Sequence, residues 1–257
     1  MNDTPIVIQR LQGAQDAQQA YCCMTEVSTP WPQSLCLCRD WVVENLGKYI
    51  EGYHLQMPSG EVVGHLYYAP SERALFPYEV EPGVGVLYCE WVQQRHQGRG
   101  LGKRLFAAFA DSMRGAGAKG ILVECTDVEG QMHYQRYLAR GFLMAYEAGH
   151  RKLLYLPLTQ PQLSVRPMTP LIRARQGAPV DILIISGYMC PYEASTQVLV
   201  REVAGEFGDR VTLREVSLTP NTLREYGVAK GIFINGRQKL TGGETEEQVR
   251  QAILEAM

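Results

Sequence analysis

The chain has 257 residues, 46% hydrophobic and 20% charged, with a formal net charge of −2. That length fits one large or two modest domains, and the composition is that of an ordinary globular protein. The near balance of charge supplies no field to draw in nucleic acid or an acidic membrane, and no apolar run approaches the ~20 residues of a membrane span.

Residues 1–5 are polar and lack the basic and apolar regions of a signal peptide, so a cytoplasmic protein is expected. The seven cysteines are an odd number in a chain this long and are expected to be reduced thiols. Residues 6–11 read as a first strand and 14–24 as a helical stretch. Residues 28–32 break it, and 35–46 predict a second helix. Cys22-Cys23 and Cys36-x-Cys38 lack the C-x₂₋₄-C spacing of a structural zinc site, so no metal is expected. Residues 52–57 and 61–68 predict a hairpin closed by Pro58-Ser59-Gly60. Residues 69–83, with three prolines, read as a loop carrying Tyr78, Glu79 and Glu81.

The densest signal follows. Residues 84–92 are a run of strand formers, and Leu101, Leu105, Phe106, Phe109 and Met113 recur at helical spacing. Between them stands Gln97-Gly98-Arg99-Gly100-Leu101-Gly102-Lys103. Glycines at a strand-to-helix junction let a bulky anion approach main-chain N–H groups at the positive end of the helix dipole. Arg99, Lys103 and Arg104 add charge, so the stretch reads as a pyrophosphate site. Its spacing is wrong for the dinucleotide fingerprint G-x-G-x-x-G. It is wrong for a P-loop too, since Lys103 is followed by Arg104.

Farther on, residues 121–125 predict a strand and 132–140 a helix running into Tyr137-Leu138-Ala139-Arg140-Gly141-Phe142. Residues 143–158 predict a strand pair around Gly149. Residues 159–179, carrying Pro161, Pro167, Pro170 and Pro179, read as a linker. From residue 180 the expected order is βαβαββα: strand 180–186, Cys190-Pro191-Tyr192-Glu193, helix 194–207, strand 211–216, helix 221–226, a hairpin through Asn235-Gly236, and a last helix capped by Thr245.

Gln97, Gly100 and Gly102 fill the pattern Q/R-x-x-G-x-G/A, and residues 5–158 resemble the GNAT acetyltransferases. Val92 matches that family's strand-end valine, and Tyr137 through Phe142 its Y-x-x-x-G-F motif. The resemblance implies an α/β (α+β) fold with a mixed, splayed central sheet. It implies acetyl-CoA as acyl-donor substrate, its pyrophosphate held by Gln97, Gly98, Arg99, Gly100, Leu101, Gly102 and Lys103. Its pantetheine arm would pair with the backbone near Trp91 and Val92. Tyr137 would protonate the departing thiolate, and Glu90 is the leading candidate for general base, with His54, His65, Glu79 and Glu124 as rivals. Trp31 and Trp41, in the family's acceptor-lining region, could border the amine, a small molecule or a peptide.

Residues 180–257 resemble the thioredoxin fold, with Cys190 where the redox motif sits. A helix N-terminus there would lower the thiol's pKa, but Glu193 replaces the second cysteine and opposes thiolate formation. The expected organisation is residues 1–158 as N-acyltransferase domain, 159–179 as linker and 180–257 as thioredoxin-like domain. That pairing resembles the YoaP-type acetyltransferases, a bacterial group. Two readings stay open beside acyl transfer: a non-catalytic coenzyme A-binding protein, and a thiol-dependent redox or sensor protein led by Cys190.

Overall fold

The computed structural model describes residues 6–24, 31–128, 131–177 and 179–257; the Ser28–Pro30 break and the polar start of the chain lie outside them. Two compact units emerge, one of residues 1–23, 42–74 and 78–166, the other of 24–41, 75–77 and 167–257. Among the described residues no helix is long and apolar enough to cross a membrane.

The elements up to residue 167 are β1 (Val7–Arg10), α1 (Ala14–Ala17), α2 (Trp31–Asn45), β2 (Glu51–Gln56), β3 (Val62–Pro70), β4 (Tyr78–Val80), β5 (Val84–Val92), α3 (Leu101–Gly115), β6 (Gly120–Thr126), α4 (Tyr134–Leu138), β7 (Leu143–Ala148), β8 (Arg151–Pro157) and β9 (Val165–Pro167). The first unit is built on a seven-stranded sheet in the order β1-β2-β3-β5-β6-β8-β7. Its pairs are antiparallel except β5 with β6, which are parallel. The sheet is therefore mixed, and α3 is the crossover between its parallel strands. Leu101, Leu105, Phe106, Phe109 and Ala110 form the buried stripe of α3, packed on β2, β3, β5 and β6. Each large side chain on that stripe contributes roughly 1.5–3 kcal/mol by leaving water.

Several expected elements shift. The helix predicted over 14–24 stops after Ala17, and farther on Tyr21 takes a left-handed backbone (φ 61) through which no right-handed helix can run. The Tyr21 amide instead donates to the Tyr67 hydroxyl at 3.1 Å. α2 begins at Trp31, not at residue 35, with Pro32 in its first turn, where no amide partner is lost. The expected loop at 69–83 contains β4, which joins β9 in a two-stranded sheet. α4 is only five residues long, so Tyr137 sits near its end.

The second unit contains β10 (Val180–Ser186), α5 (Pro191–Glu206), β11 (Val211–Ser217), α6 (Pro220–Tyr226), β12 (Gly231–Ile234), β13 (Arg237–Leu240) and α7 (Glu246–Leu254). Its sheet order is β11-β10-β12-β13, with β10 parallel to β11 and antiparallel to β12. Every residue of β10 is buried, as an apolar strand covered on both faces must be. The hairpin turns on Asn235 (φ 50) and Gly236 (φ 77), the left-handed pair that a tight two-residue turn needs. Thr245 caps α7 in a reciprocal capping box with Gln248.

One polar cluster lies deep in the first unit. The His65 ring stacks on Tyr67 at 4.6 Å. Its two nitrogens lie 3.3 Å from Cys22 Sγ and 3.4 Å from Cys89 Sγ. Burial, then the nearby His54, push His65 from its ordinary 6.5 down to about 3. Between those values the unfolded chain takes up a proton that the folded chain refuses. This contribution to stability is therefore complete above pH 6.5 and is lost as pH falls toward 3. The melting temperature should drop as pH falls below 6.5, and His65→Gln, though less stable near pH 8, should show a shallower acid limb in thermal melts across pH.

Candidate active site

β5 and β6 pair only from Val84 with Gly120 to Leu87 with Val123. On its other edge β5 stays paired with β3 as far as Val92. There Tyr67 faces Cys89 while Tyr68 faces Leu87, so Tyr88 is one residue too many. Such a bulge bends and twists a strand. It falls where the pairing with β6 ceases, and the sheet opens beyond it. Glu90, Trp91 and Val92 lie along the opening without ladder partners on β6.

After Val92 the chain makes a 3₁₀ turn over Gln94–His96 and reaches the glycines. Gln97 Nε2 donates to the Val92 carbonyl at 2.8 Å, tying the loop to the end of β5. Gly98 and Gly100 both have φ 73, a conformation that costs other residues strain. Gly100 is the N-cap of α3 and offers its helix no side-chain cap. Among the described residues, the main-chain N–H groups of Gly98 through Lys103 find no protein acceptor. They are the unpaired donors of a helix start, extended backward by two left-handed glycines. A Cβ at Gly102 would lie 3.4 Å from Glu90 Oε1 and 3.7 Å from Val92 Cγ2, ordinary contact distances. The packing would admit a side chain there, and its absence leaves the first turn of α3 bare.

A cleft of about 240 Å³ follows this line. Of the residues singled out in the sequence, Glu90, Trp91, Val92, Gln97, Gly98 and Gly100 border it, as do Leu101, Gly102 and Tyr137. Arg99 and Lys103 are not among its lining; Arg99 instead lies 3.3 Å from His96 Nδ1. The donor set fits a diphosphate, since Gly98, Gly100, Leu101 and Gly102 border the cleft and no protein carbonyl already occupies their N–H groups.

Sequence reasoning missed Gln131, Met132, Arg136 and Arg140 on the far wall. Arg140 lies three positions past Tyr137, close enough to share its face of the chain, but stands at a variable position of Y-x-x-x-G-F and drew no notice. It is the best-connected group in the cleft. Its Nη1 donates to Glu90 Oε2 at 2.5 Å and its Nη2 to Glu90 Oε1 at 2.9 Å. Its guanidinium carbon lies 4.8 Å from the centre of the Phe106 ring and 5.3 Å from that of Tyr137. The Tyr137 hydroxyl reaches Glu90 Oε2 at only 3.5 Å. Burial, reinforced by the Glu90 carboxylate, holds the Tyr137 phenol well above its ordinary pKa of 10, so it stays protonated at neutral pH.

The rivals of Glu90 lie elsewhere. His54 and His65 are buried, Glu124 accepts from Tyr78 and Arg151, and Glu79 pairs with Arg166. Glu81 binds Lys119 and Gln160. These carboxylates thus serve structural ion pairs. Trp31 stacks on Tyr192 with ring centres 5.6 Å apart, Trp41 is buried, and neither lines the cleft.

In the second unit Cys190 is the N-cap of α5, half-buried, with Pro191 next to it. Its thiol is pushed up to about 11 by burial and by Glu193. The expected lowering by the helix dipole is overturned, because desolvation of a thiolate outweighs a dipole effect of a fraction of a kcal/mol to ~1 kcal/mol. Glu193 in turn pairs with Lys230.

Comparison with known proteins adds three solved structures. The GNAT family N-acetyltransferase YhbS of Escherichia coli, in complex with CoA, is 17% identical over 61% of this chain and 83% of that one, with a TM-score of 0.45. A GNAT family acetyltransferase of Brucella melitensis, in complex with acetyl-CoA, is 20% identical over 63% and 95%, TM-score 0.40. The ribosomal-protein-S18-alanine N-acetyltransferase of Escherichia coli is 16% identical over 62% and 97%, TM-score 0.44. No curated protein sequence matches significantly. Residues 21–142, which include every residue lining the cleft, match the family model described as "Acetyltransferase (GNAT) family".

Proposed function

We propose that this protein is an N-acyltransferase that moves an acetyl group from acetyl-CoA to an amine by direct attack, without an acyl-enzyme. The observation that carries the reading is the run of unpaired main-chain N–H groups from Gly98 to Lys103, of which those of Gly98, Gly100, Leu101 and Gly102 belong to residues bordering a cleft where the sheet splays. The pyrophosphate of the donor would lie on those amides, with Gln97 fixing the loop. The pantetheine arm would follow the opened edge of β5 at Trp91 and Val92. The Val92 carbonyl already accepts from Gln97, which favours the groups of Trp91 and Glu90 as its partners.

In the reaction the amine lone pair attacks the thioester carbonyl, the tetrahedral intermediate gives its extra nitrogen proton to water, and the C–S bond breaks as it collapses; that proton, returned from solvent, restores the Tyr137 phenol after it donates. The departing thiolate takes the Tyr137 phenol proton. The phenol keeps its proton at working pH, and negative charge growing on the sulfur as the C–S bond breaks draws that proton across. Glu90 was expected as general base, but both its oxygens already accept from Arg140. Taking a proton there would break the ion pair, so Glu90 is assigned to holding Arg140.

Residues 1–158 are proposed as the acyltransferase domain, 159–179 as its linker and 180–257 as a thioredoxin-like domain of a YoaP-type protein working in the cytoplasm. The βαβαββα order of the second unit supports the last of these. The raised Cys190 thiol counts against a redox role.

Tyr137→Phe should lower kcat by about 10²-fold, the scale of a lost general acid, with little change in KM for acetyl-CoA. Thiol release across a panel of amines reads this out. Calorimetric binding of acetyl-CoA without turnover on any amine would instead make the protein a binder. Gln97→Ala removes a hydrogen bond worth about 1 kcal/mol and should weaken acetyl-CoA binding about fivefold by calorimetry. Cys190 should alkylate slowly with iodoacetamide at neutral pH and accelerate up to about pH 11, as its raised pKa requires. Fast alkylation at pH 7 would revive the thiol reading.

A further inference from the structure

The Glu90–Arg140 pair has no part in the proposed chemistry so far, yet it stands in the middle of the cleft. The Glu90 side chain is 7% exposed and that of Arg140 26%. Pairing two charges there is expensive unless both are well satisfied. Arg140 is held on every side: Glu90 takes two of its N–H groups, and the faces of Phe106 and Tyr137 flank it. Its terminal nitrogen lies 3.9 Å from where a Cβ of Gly102 would be, so the pair sits directly under the bare first turn of α3.

Two donors compete for one oxygen. Glu90 Oε2 accepts from Arg140 at 2.5 Å and from the Tyr137 hydroxyl at 3.5 Å. The guanidinium wins, and the phenol is left with a contact at the limit of hydrogen bonding. A phenol bonded firmly to a carboxylate would have to give up a strong, charge-assisted bond before donating elsewhere. A phenol held loosely can turn.

Building on the acyl-transfer reading, we propose that Arg140 is a positioning residue for the reaction: by occupying Glu90 it keeps the Tyr137 O–H available to the departing sulfur. No further bond is made or broken by Arg140 itself. The proton still passes from the Tyr137 oxygen to the coenzyme A sulfur as the C–S bond breaks. Glu90 sets the place of Arg140, and Arg140 sets the freedom of Tyr137.

A purely structural ion pair makes a different forecast. Its loss would lower the melting temperature but leave kcat per folded molecule intact. Three variants separate the two: Arg140→Gln, Arg140→Lys, and Arg140→Gln combined with Glu90→Gln. Arg140→Gln leaves Glu90 free to capture the phenol and should lower kcat by about 10–100-fold, with KM for acetyl-CoA within about threefold of wild type. The double variant removes the capturing carboxylate along with its partner, and should regain about tenfold in kcat over Arg140→Gln. Arg140→Lys keeps the charge but not the two-pronged grip and should fall between. The double variant also leaves no unpaired buried charge, so it folds even where Arg140→Gln is damaged; circular dichroism and thermal melts check each protein. Wild-type kcat in Arg140→Gln, or a double variant no faster than that single one, overturns the proposal. A wild-type protein that turns over no amine at all overturns the acyl-transfer reading itself, which is a separate result.

Discussion

The opening of the first sheet depends on one break in hydrogen bonding. β5 and β6 pair as parallel strands for four residue pairs, from Val84 with Gly120 to Leu87 with Val123, and then separate. The bulge at Tyr88 turns β5 aside while its pairing to β3 continues to Val92. A strand that leaves one neighbour but keeps the other exposes backbone along a single edge. Here that edge leads straight into the glycine loop. The geometry exposes main-chain donors and acceptors at the edge, and more donors at the helix start, within one cleft.

The rest of the cleft is arranged around that opening. Gln97 ties the loop to the strand end, Gly98 and Gly100 turn the chain so that successive N–H groups face outward, and Gly102 keeps the first turn of α3 bare. Packing behind the helix keeps it in place, since Leu105 and Phe109 are fully buried against the sheet. The far wall is supplied by α4 and the turn after it. It brings Tyr137 and Arg140 against Glu90 across the width of the cleft. Arg140 is neutralised by Glu90, so the positive character offered to an anion comes from the backbone amides and from the exposed Arg136 on the far wall.

The two thiol-bearing regions have a different character. Cys22 and Cys89 flank a buried, neutral imidazole in the first unit. Cys190 caps a helix in the second, where burial and a neighbouring carboxylate suppress its ionisation. Burial raises the thiols of both Cys22 and Cys190. A cysteine at a helix N-terminus is not by that alone reactive; the balance between dipole, desolvation and neighbouring charge decides it.

Local rules made much of this protein legible from its residues alone. The glycine loop, the buried stripe of α3, the apolar β10, the Asn235-Gly236 turn and the Thr245 cap each follow from periodicity or from a φ that only certain residues tolerate. The candidate anion site is of this kind, because its donors are consecutive along the chain. Other features joined residues far apart in sequence. The end of the β5–β6 ladder is a matter of register between distant strands. The Glu90–Arg140 pair spans fifty positions, and the Tyr21 amide bonds to the Tyr67 hydroxyl beyond the point where a helix that propensity favoured has stopped. Glycine spacing and apolar period carry their meaning within a turn or two of chain. Which carboxylate meets which guanidinium, and hence what Glu90 can do, is decided only when the folded sheet and helices set them side by side.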